Sequence, residues 1–245
     1  HPDVGGGMAR LAAPVAAGLS GSAMSAPSRP DRTDGLRIAI VGAESTGKTT
    51  LAQELARRLQ GAGRDAVVVP EYLRLWCEQT GRTPQPHEQR HIAEEQTARI
   101  FAAAQQHDVV LADTTALMTA VYSEYLFDDR SLYPMAEQAH AQASLTLLTG
   151  LDLAWVSDGL QRDGAHVREP VDVLVRAALW RMQAAHAVVT GQGEARVAQA
   201  LALIAHELDG PRRAALQASQ PRWRWVCPDC DDGECEQHWL PRSSA

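Results

Sequence analysis

Residues 42–49 read Gly-Ala-Glu-Ser-Thr-Gly-Lys-Thr, a G-x-x-x-x-G-K-[ST] sequence between an apolar run, LRIAIV, and an amphipathic stretch. No other feature restricts the fold of this chain as much. A glycine-bounded turn between a buried strand and a helix N-terminus points backbone N–H groups inward around an anion, and the helix end adds partial positive charge. Lys48 is then placed to reach the β and γ phosphates of a nucleotide, and the Thr49 hydroxyl is placed for Mg2+. Gly42, Ala43, Glu44, Ser45, Thr46, Gly47, Lys48, Thr49 and Thr50 are therefore the expected contacts to ATP; the motif accepts GTP equally well. The 23 basic residues comprise 22 arginines and Lys48 alone. An ammonium lies along a phosphate chain where a broad guanidinium fork does not fit. A chance match on a glycine-rich turn is the other reading, and it leaves both the strand–helix context and the solitary lysine unexplained.

The periodicity around this motif alternates between two kinds of segment. Short apolar runs at 36–41, 66–69, 109–112, 145–149 and 187–190 predict five strands. Between them lie helical patterns. Thr49–Gln60 carries Leu51, Ala52, Leu55, Ala56 and Leu59 on one face, with Gly61 and Gly63 to stop it. Further helices are expected over 71–79, 87–106, from Asp113 to Tyr125, over 168–185 with Pro170 in the first turn, and over 194–208. Strands alternating with helices predict an α/β, P-loop NTPase three-layer sandwich: a five-stranded parallel sheet with helices on both faces. Residues 1–34, rich in Gly, Ala, Ser and Pro, are expected to be a disordered leader, and a histidine at position 1 leaves Met8 and Met24 as alternative starts. The kinase-like body is expected over 35–210 and a small Cys/His tail over 211–245.

A net charge of −7 argues against a general nucleic-acid or anionic-membrane binder. No apolar run reaches the ~18–20 residues of a membrane helix. Four cysteines, one isolated and three clustered near the C-terminus, do not make a secreted disulfide framework. The expectation is a cytoplasmic protein with a small-molecule partner, no membrane and no nucleic acid; self-association into a homo-oligomer stays open.

In an open parallel sheet, both ligands must be held at the C-terminal strand ends. Glu71 follows the second strand, where its carboxylate can accept the proton of an attacking hydroxyl or serve as a helix-start charge. Asp113 follows the third strand and suits Mg2+, a substrate hydroxyl, or a plain helix cap. Tyr72 adjoins Glu71, and Arg74, one turn on, is either a substrate contact or a surface ion pair. Arg162 and Arg168 flank a glycine-containing loop that can bring guanidinium groups to the transferring phosphate, or be ordinary solvated arginines. Phe101 either packs in the core or stacks on an aromatic base. On charge and geometry, Lys48, Glu71, Asp113 and Arg162 are the catalytic candidates.

The segments GAESTGKTTLAQELA, PEYLRLW, LADTTALMTAVYSEYLF and LDLAWVSDGLQRDG resemble, in order, the ribosylnicotinamide kinase domain of NadR-type proteins. The resemblance spans roughly residues 36 to 208. It implies a P-loop kinase that moves the ATP γ-phosphate to the 5′-hydroxyl of nicotinamide riboside, giving nicotinamide mononucleotide for NAD biosynthesis. It also implies an aromatic sandwich around the nicotinamide. One such position falls on Phe101; the other falls on Pro70, which cannot stack in the same way. Nothing in the chain matches the His-x-Gly-His adenylyltransferase motif of the bifunctional members, so the resemblance implies a stand-alone kinase. The competing expectation is a P-loop ATPase with a regulatory role, or a kinase for another nucleoside.

The tail places Cys227, Cys230, Cys235 and His238 in a C-x2-C-x4-C-x2-H array. Such a set can close a tetrahedral structural Zn2+ site. The alternative is a reduced tail whose cysteines are incidental. RWRW at 222–225 beside it suits packing of the tail on the body or on a partner better than nucleic-acid stacking, given the neighbouring acidic run.

Overall fold

The structure, a computed structural model, describes residues 34–156 and 165–210. The strands are β1 (Leu36–Val41), β2 (Ala66–Val69), β3 (Val109–Asp113), β4 (Leu145–Thr149) and β5 (His186–Val189). They form one sheet in the order β2-β3-β1-β4-β5, and every pairing is parallel. The helices are α1 (Lys48–Gly61), α2 (Tyr72–Thr80), α3 (Gln89–Ala104), α4 (Ala116–Phe127), α5 (Tyr133–His140), α6 (Arg168–Arg181) and α7 (Gly193–Leu208). The expected three-layer fold is what the chain adopts. The leader (apart from Asp34), Arg162, and the tail with Cys227, Cys230, Cys235 and His238 lie outside the described residues.

Strand alternation sorts the core into two faces. Ile38, Ile40, Val109 and Leu111 point toward α1 and α7, where they pack with Leu51, Leu55, Leu59, Val197 and Ile204. Val41 and Leu148 belong to the opposite cluster, with α4, α5 and α6. A side-chain period of two on β1 therefore supplies both layers from one strand. Leu55 and Ile204 are fully buried, each contributing roughly 1.5–3 kcal/mol of burial free energy. The apolar face read from the sequence of α1 is the buried face: Leu51, Ala52, Leu55, Ala56 and Leu59.

Helix α4 is buried along Ala116–Val121 without a break, because α3, α5 and α6 all pack on it. The helix expected from Asp113 to Tyr125 is thus present, but it is apolar on every side, so no periodic face marks which side packs inward. Helix α5 was not expected at all. It is eight residues long, with Pro134 in its first turn, where the missing N–H costs nothing. Its anchors are lateral. The Tyr133 hydroxyl donates to Glu124 at 2.6 Å, and the Arg181 guanidinium lies 4.4 Å from the Tyr133 ring centroid. Burial, then the Glu124 bond, push the Tyr133 hydroxyl pKa well above its usual value.

His140 ends α5 and is 3% exposed. Its Nδ1 meets the Thr115 hydroxyl at 3.1 Å and its Nε2 meets the Thr146 hydroxyl at 3.0 Å. Burial, and secondarily the charge of His186, lower its pKa from 6.5 to about 4. The ring is therefore neutral in the fold, whereas the unfolded chain takes up a proton as pH falls through about 6.5. Its contribution is complete above that pH and is lost on acidification toward pH 4. We expect urea unfolding to show roughly 2 kcal/mol less stability at about pH 5 than at about pH 7.5 from this group. The drop should shrink in His140→Gln; an equal drop in both proteins would refute the assignment.

Candidate phosphate and acceptor site

The loop between β1 and α1 is shaped by contacts that only certain residues allow. Gly42 has φ 145, and a Cβ there would stand 2.2 Å from Thr149 Oγ1 and 3.0 Å from the Thr149 carbonyl. Glycine is therefore required by the close approach of β4. Thr149 Oγ1 donates to the Val41 carbonyl at 3.1 Å and sits 2.7 Å from Thr46 Oγ1. Thr46 Oγ1 also lies 2.7 Å from the Ala43 carbonyl, so two hydroxyl protons are shared among three contacts. Ser45 and Gly47 both take positive φ, 54 and 75, which turns the chain into α1. The result is a cradle of backbone N–H groups at a helix N-terminus. Its fit to a phosphate chain rests on that shape and on Lys48, whose Nζ donates to the Ala43 carbonyl at 2.7 Å.

The segment after β4 covers this loop. The Ser45 hydroxyl accepts from Val156 N at 2.8 Å, and a Cβ on Gly47 would press on Leu153 Cδ1 at 2.9 Å. Arg168, at the start of α6, is 8% exposed and donates to the Leu151 carbonyl at 3.2 Å. Its Nε is buried without a hydrogen-bond partner. Leu151 lies just past Thr149, so Arg168 is anchored to the segment that follows β4.

Asp113 stands at the end of β3, 2% exposed, in register with Ile40 of β1. It thus meets the sheet edge two residues before Gly42. Thr49 lies in the first turn of α1. A carboxylate and a hydroxyl are hard oxygen donors of the kind Mg2+ takes, with phosphates and water completing the shell. Among the described residues there is no cluster of three or more His, Cys, Asp or Glu able to hold a metal by itself.

Beside Asp113, at Thr114, a shallow recess lies between α2, α3 and α4. Glu71, Gln96, Thr114 and Tyr122 line it, with Ile92 and Met118. Glu71 precedes α2 as its N-cap residue without a side-chain cap bond. Arg74 lies 3.8 Å from it. Tyr72 is held by α3: its N–H donates to Gln96 Oε1 at 2.7 Å, and Arg99 stacks over its ring at 4.5 Å.

Three groups at this edge carry no role that the sequence motifs assign. Thr114 has φ 73, is 4% exposed, and buries its Oγ1 without a partner. A left-handed β-branched residue costs about 1–3 kcal/mol and persists where surrounding structure compels it. Gln96 Nε2 donates to the Thr114 carbonyl at 3.3 Å and fixes that turn. Arg196, on α7 and 4% exposed, donates to the Thr46 carbonyl at 2.7 Å and the Gly191 carbonyl at 3.1 Å. Asp152 lies 3.5 Å from it and accepts from Gly191 N at 2.6 Å. Burial pulls the Arg196 pKa down and Asp152 opposes this. One guanidinium therefore ties together the phosphate loop, the segment after β4 and the turn after β5. No pattern marks it among 22 arginines.

Phe101 is not part of this edge. The Ala104 carbonyl, at the C-terminal end of α3, accepts from Gly35 N at 2.9 Å, so α3 runs from the recess at Thr114 down to the start of β1. Phe101 lies more than a turn below Gln96, and its ring is capped by the Arg37 guanidinium at 5.1 Å. It lines a separate apolar recess with Ile38, Ile100 and His140. Helix rise carries residue 101 about 7 Å along α3 from residue 96, so of its two expected settings the apolar packing is the one described.

A protein family described as AAA domain matches residues 37–196. No curated protein matches the chain. Among solved structures, NadR protein in complex with NAD and AMP-PNP is 20% identical, with a TM-score of 0.56 over 72% of this chain and 50% of that one. NadR protein in complex with NR gives the same identity and TM-score over 71% of this chain. Thymidylate kinase from Ehrlichia chaffeensis is 15% identical, with a TM-score of 0.50 over 70% of this chain and 100% of that one. The alignment thus reaches half the length of the NadR chains, and at these identities it speaks for the fold, which is the NadR-like P-loop arrangement expected from the quoted segments. With the family match extending from β1 into α7, the chain belongs to the AAA domain family.

Proposed function

We propose that the protein is an ATP-dependent kinase acting on a nucleoside, with the 5′-hydroxyl of nicotinamide riboside as acceptor. The observation that carries this reading is the placement of a phosphate cradle and a polar-floored recess on one sheet edge, with Asp113 between them. A NadR structure of the same fold holds NR, which favours that acceptor over other nucleosides.

The transfer asks little covalent chemistry of the protein. The attacking oxygen must be aligned with the γ-phosphorus, and spreading charge must be neutralised. Lys48 exchanges the Ala43 carbonyl for β- and γ-phosphate oxygens. Thr49 and Asp113 would hold Mg2+, which supplies charge neutralisation on the same oxygens when bound. Arg168 and, from the loop before it, Arg162 add guanidinium charge. Glu71 accepts the proton of the acceptor hydroxyl or orients it; Asp113 is its rival for that role. The unpartnered Thr114 hydroxyl offers the acceptor a hydrogen bond, Gln96 lines the recess, and Tyr72 and Arg74 beside Glu71 are read as further acceptor contacts. In this reading the kinase body spans 35–210. Cys227, Cys230, Cys235 and His238 of the tail are read as ligands of a structural Zn2+.

The deciding experiment measures ADP release across a panel of nucleosides, with mass spectrometry of the product. Phosphorylated nicotinamide riboside is the expected product. Hydrolysis of ATP with no phosphorylated nucleoside would make the protein an ATPase instead, and turnover on a different nucleoside alone would reassign the acceptor. In Lys48→Ala we expect turnover to fall by about 10^3 or more, with the thermal transition kept. Glu71→Gln should lower kcat by about 10^2 to 10^4 and leave ATP binding unchanged. Asp113→Asn should also shift the Mg2+ dependence, and equal behaviour of the two variants would contradict the division of roles. Thr114→Val, nearly isosteric, should raise KM for the nucleoside about tenfold and leave KM for ATP alone.

A further inference from the structure

Helix α6 is amphipathic in the ordinary sense on one side only. Val171, Val175, Ala178 and Leu179 face the core. Its outer side is also apolar: Val173 is 64% exposed and Trp180 is 84% exposed, with Pro170 and Ala177 exposed beside them. Trp180 is the most exposed large hydrophobic among the described residues. Residues 173, 177 and 180 follow i, i+4, i+7 spacing, which lines them up along one stripe. His166, in the turn that leads into α6, and Glu169 and Arg176, on one flank of the stripe, are exposed too.

The stripe complements itself. When two identical helices pack antiparallel about a two-fold axis, residues on the same flank face one another, and facing positions share one sum to within a residue, about 1.5 Å of helix rise. Centring the axis on Val173 sets Val173 on its copy. It sets Pro170 against Ala177 on one flank and Trp180 over His166 at each end. It also sets Glu169 against Arg176 on the other flank. Apolar meets apolar, the aromatic ring meets an imidazole, and acid meets base, twice over by symmetry. Arg176 already reaches Asp172 of its own helix at 2.6 Å, so the partner's Glu169 would join an existing charge pair rather than strip one from the core.

We propose that a second copy of this chain covers α6, forming a two-fold dimer in which the Val173–Trp180 stripe pairs with itself. One helix pair lies at the small end of specific interfaces, below about 1,200 Å2. The dimer is therefore concentration-dependent, with association in the micromolar range. The stripe lies on the face of α6 away from the buried Arg168 and Asp172, so association leaves the phosphate site open. This inference does not depend on the acceptor or on the kinase reading.

Sedimentation equilibrium of the full chain over about 1–200 µM tests it. The expected result is a monomer–dimer equilibrium. Trp180→Ser and Val173→Glu should each weaken it about tenfold or more, with ATP binding kept. Glu169→Arg alone should weaken it, and Glu169→Arg combined with Arg176→Glu should restore it, because the swapped charges again face each other. Since Arg176→Glu also disturbs Asp172, a thermal melt of each variant confirms that it is folded. A monomer throughout the range overturns the proposal, whether the chain's own residues 211–245 cover the stripe or nothing does. Association insensitive to Val173→Glu, or a charge swap that fails to restore it in a folded variant, overturns it as well.

Discussion

The approach of β4 to Gly42 is the contact on which the functional edge depends. Thr149 stands where a Cβ on residue 42 would be, and its hydroxyl bonds to both the Val41 carbonyl and Thr46. The phosphate loop is thus shaped from the neighbouring strand, not by its own sequence alone. Register carries the constraint outward. Val41 pairs with Leu148 and Ile40 with Asp113, so the ends of three adjacent strands reach the same edge together. A parallel sheet makes this automatic, since every strand finishes on the same side.

Arg196 shows how that edge is kept rigid without secondary structure. A loop whose carbonyls point inward, away from water, must find donors for them, and an unmatched buried carbonyl costs about 1–3 kcal/mol. The guanidinium satisfies two carbonyls from different loops at once, with Asp152 offsetting its buried charge. The strap has a second effect. It couples the turn after β5 to Thr46, so displacement of either loop disturbs the other.

Much of the fold was legible because its signals are local. The strand preceding Gly42 and the buried face of α1 emerge from spacing alone, and the alternation of strands and helices fixes the layers. Helix α5 was hidden because eight residues with Pro134 near the front carry too few turns for a periodic pattern, and its stability comes from α4 and α6. The candidate site was legible where chemistry and strand ends coincide, as at Lys48 and Asp113, and illegible where a residue acts through tertiary approach. Gln96 read as one more residue along α3, yet its side chain holds Tyr72 and Thr114 together. Phe101 read as either a core or a stacking residue, because which end of a helix faces the site is decided by the sheet, not by the helix.

The lysine and the arginines divide the work by shape. Arg196 must span two carbonyls and a carboxylate from one fixed position, which suits a planar fork with five donors. Arg37 caps an aromatic face and Arg82 does the same over Trp76 at 4.8 Å, again a task for a flat cation. Lys48 has the opposite task. Its ammonium lies against the Ala43 carbonyl, inside the curve of the loop, where it can release that carbonyl and take up phosphate oxygens without reorienting a plane. A guanidinium placed there would have to desolvate and align five donors in a space shaped for one small charge. The pressure that turned every other basic position to arginine therefore stops at the position where the receiving group is a chain of tetrahedral phosphates.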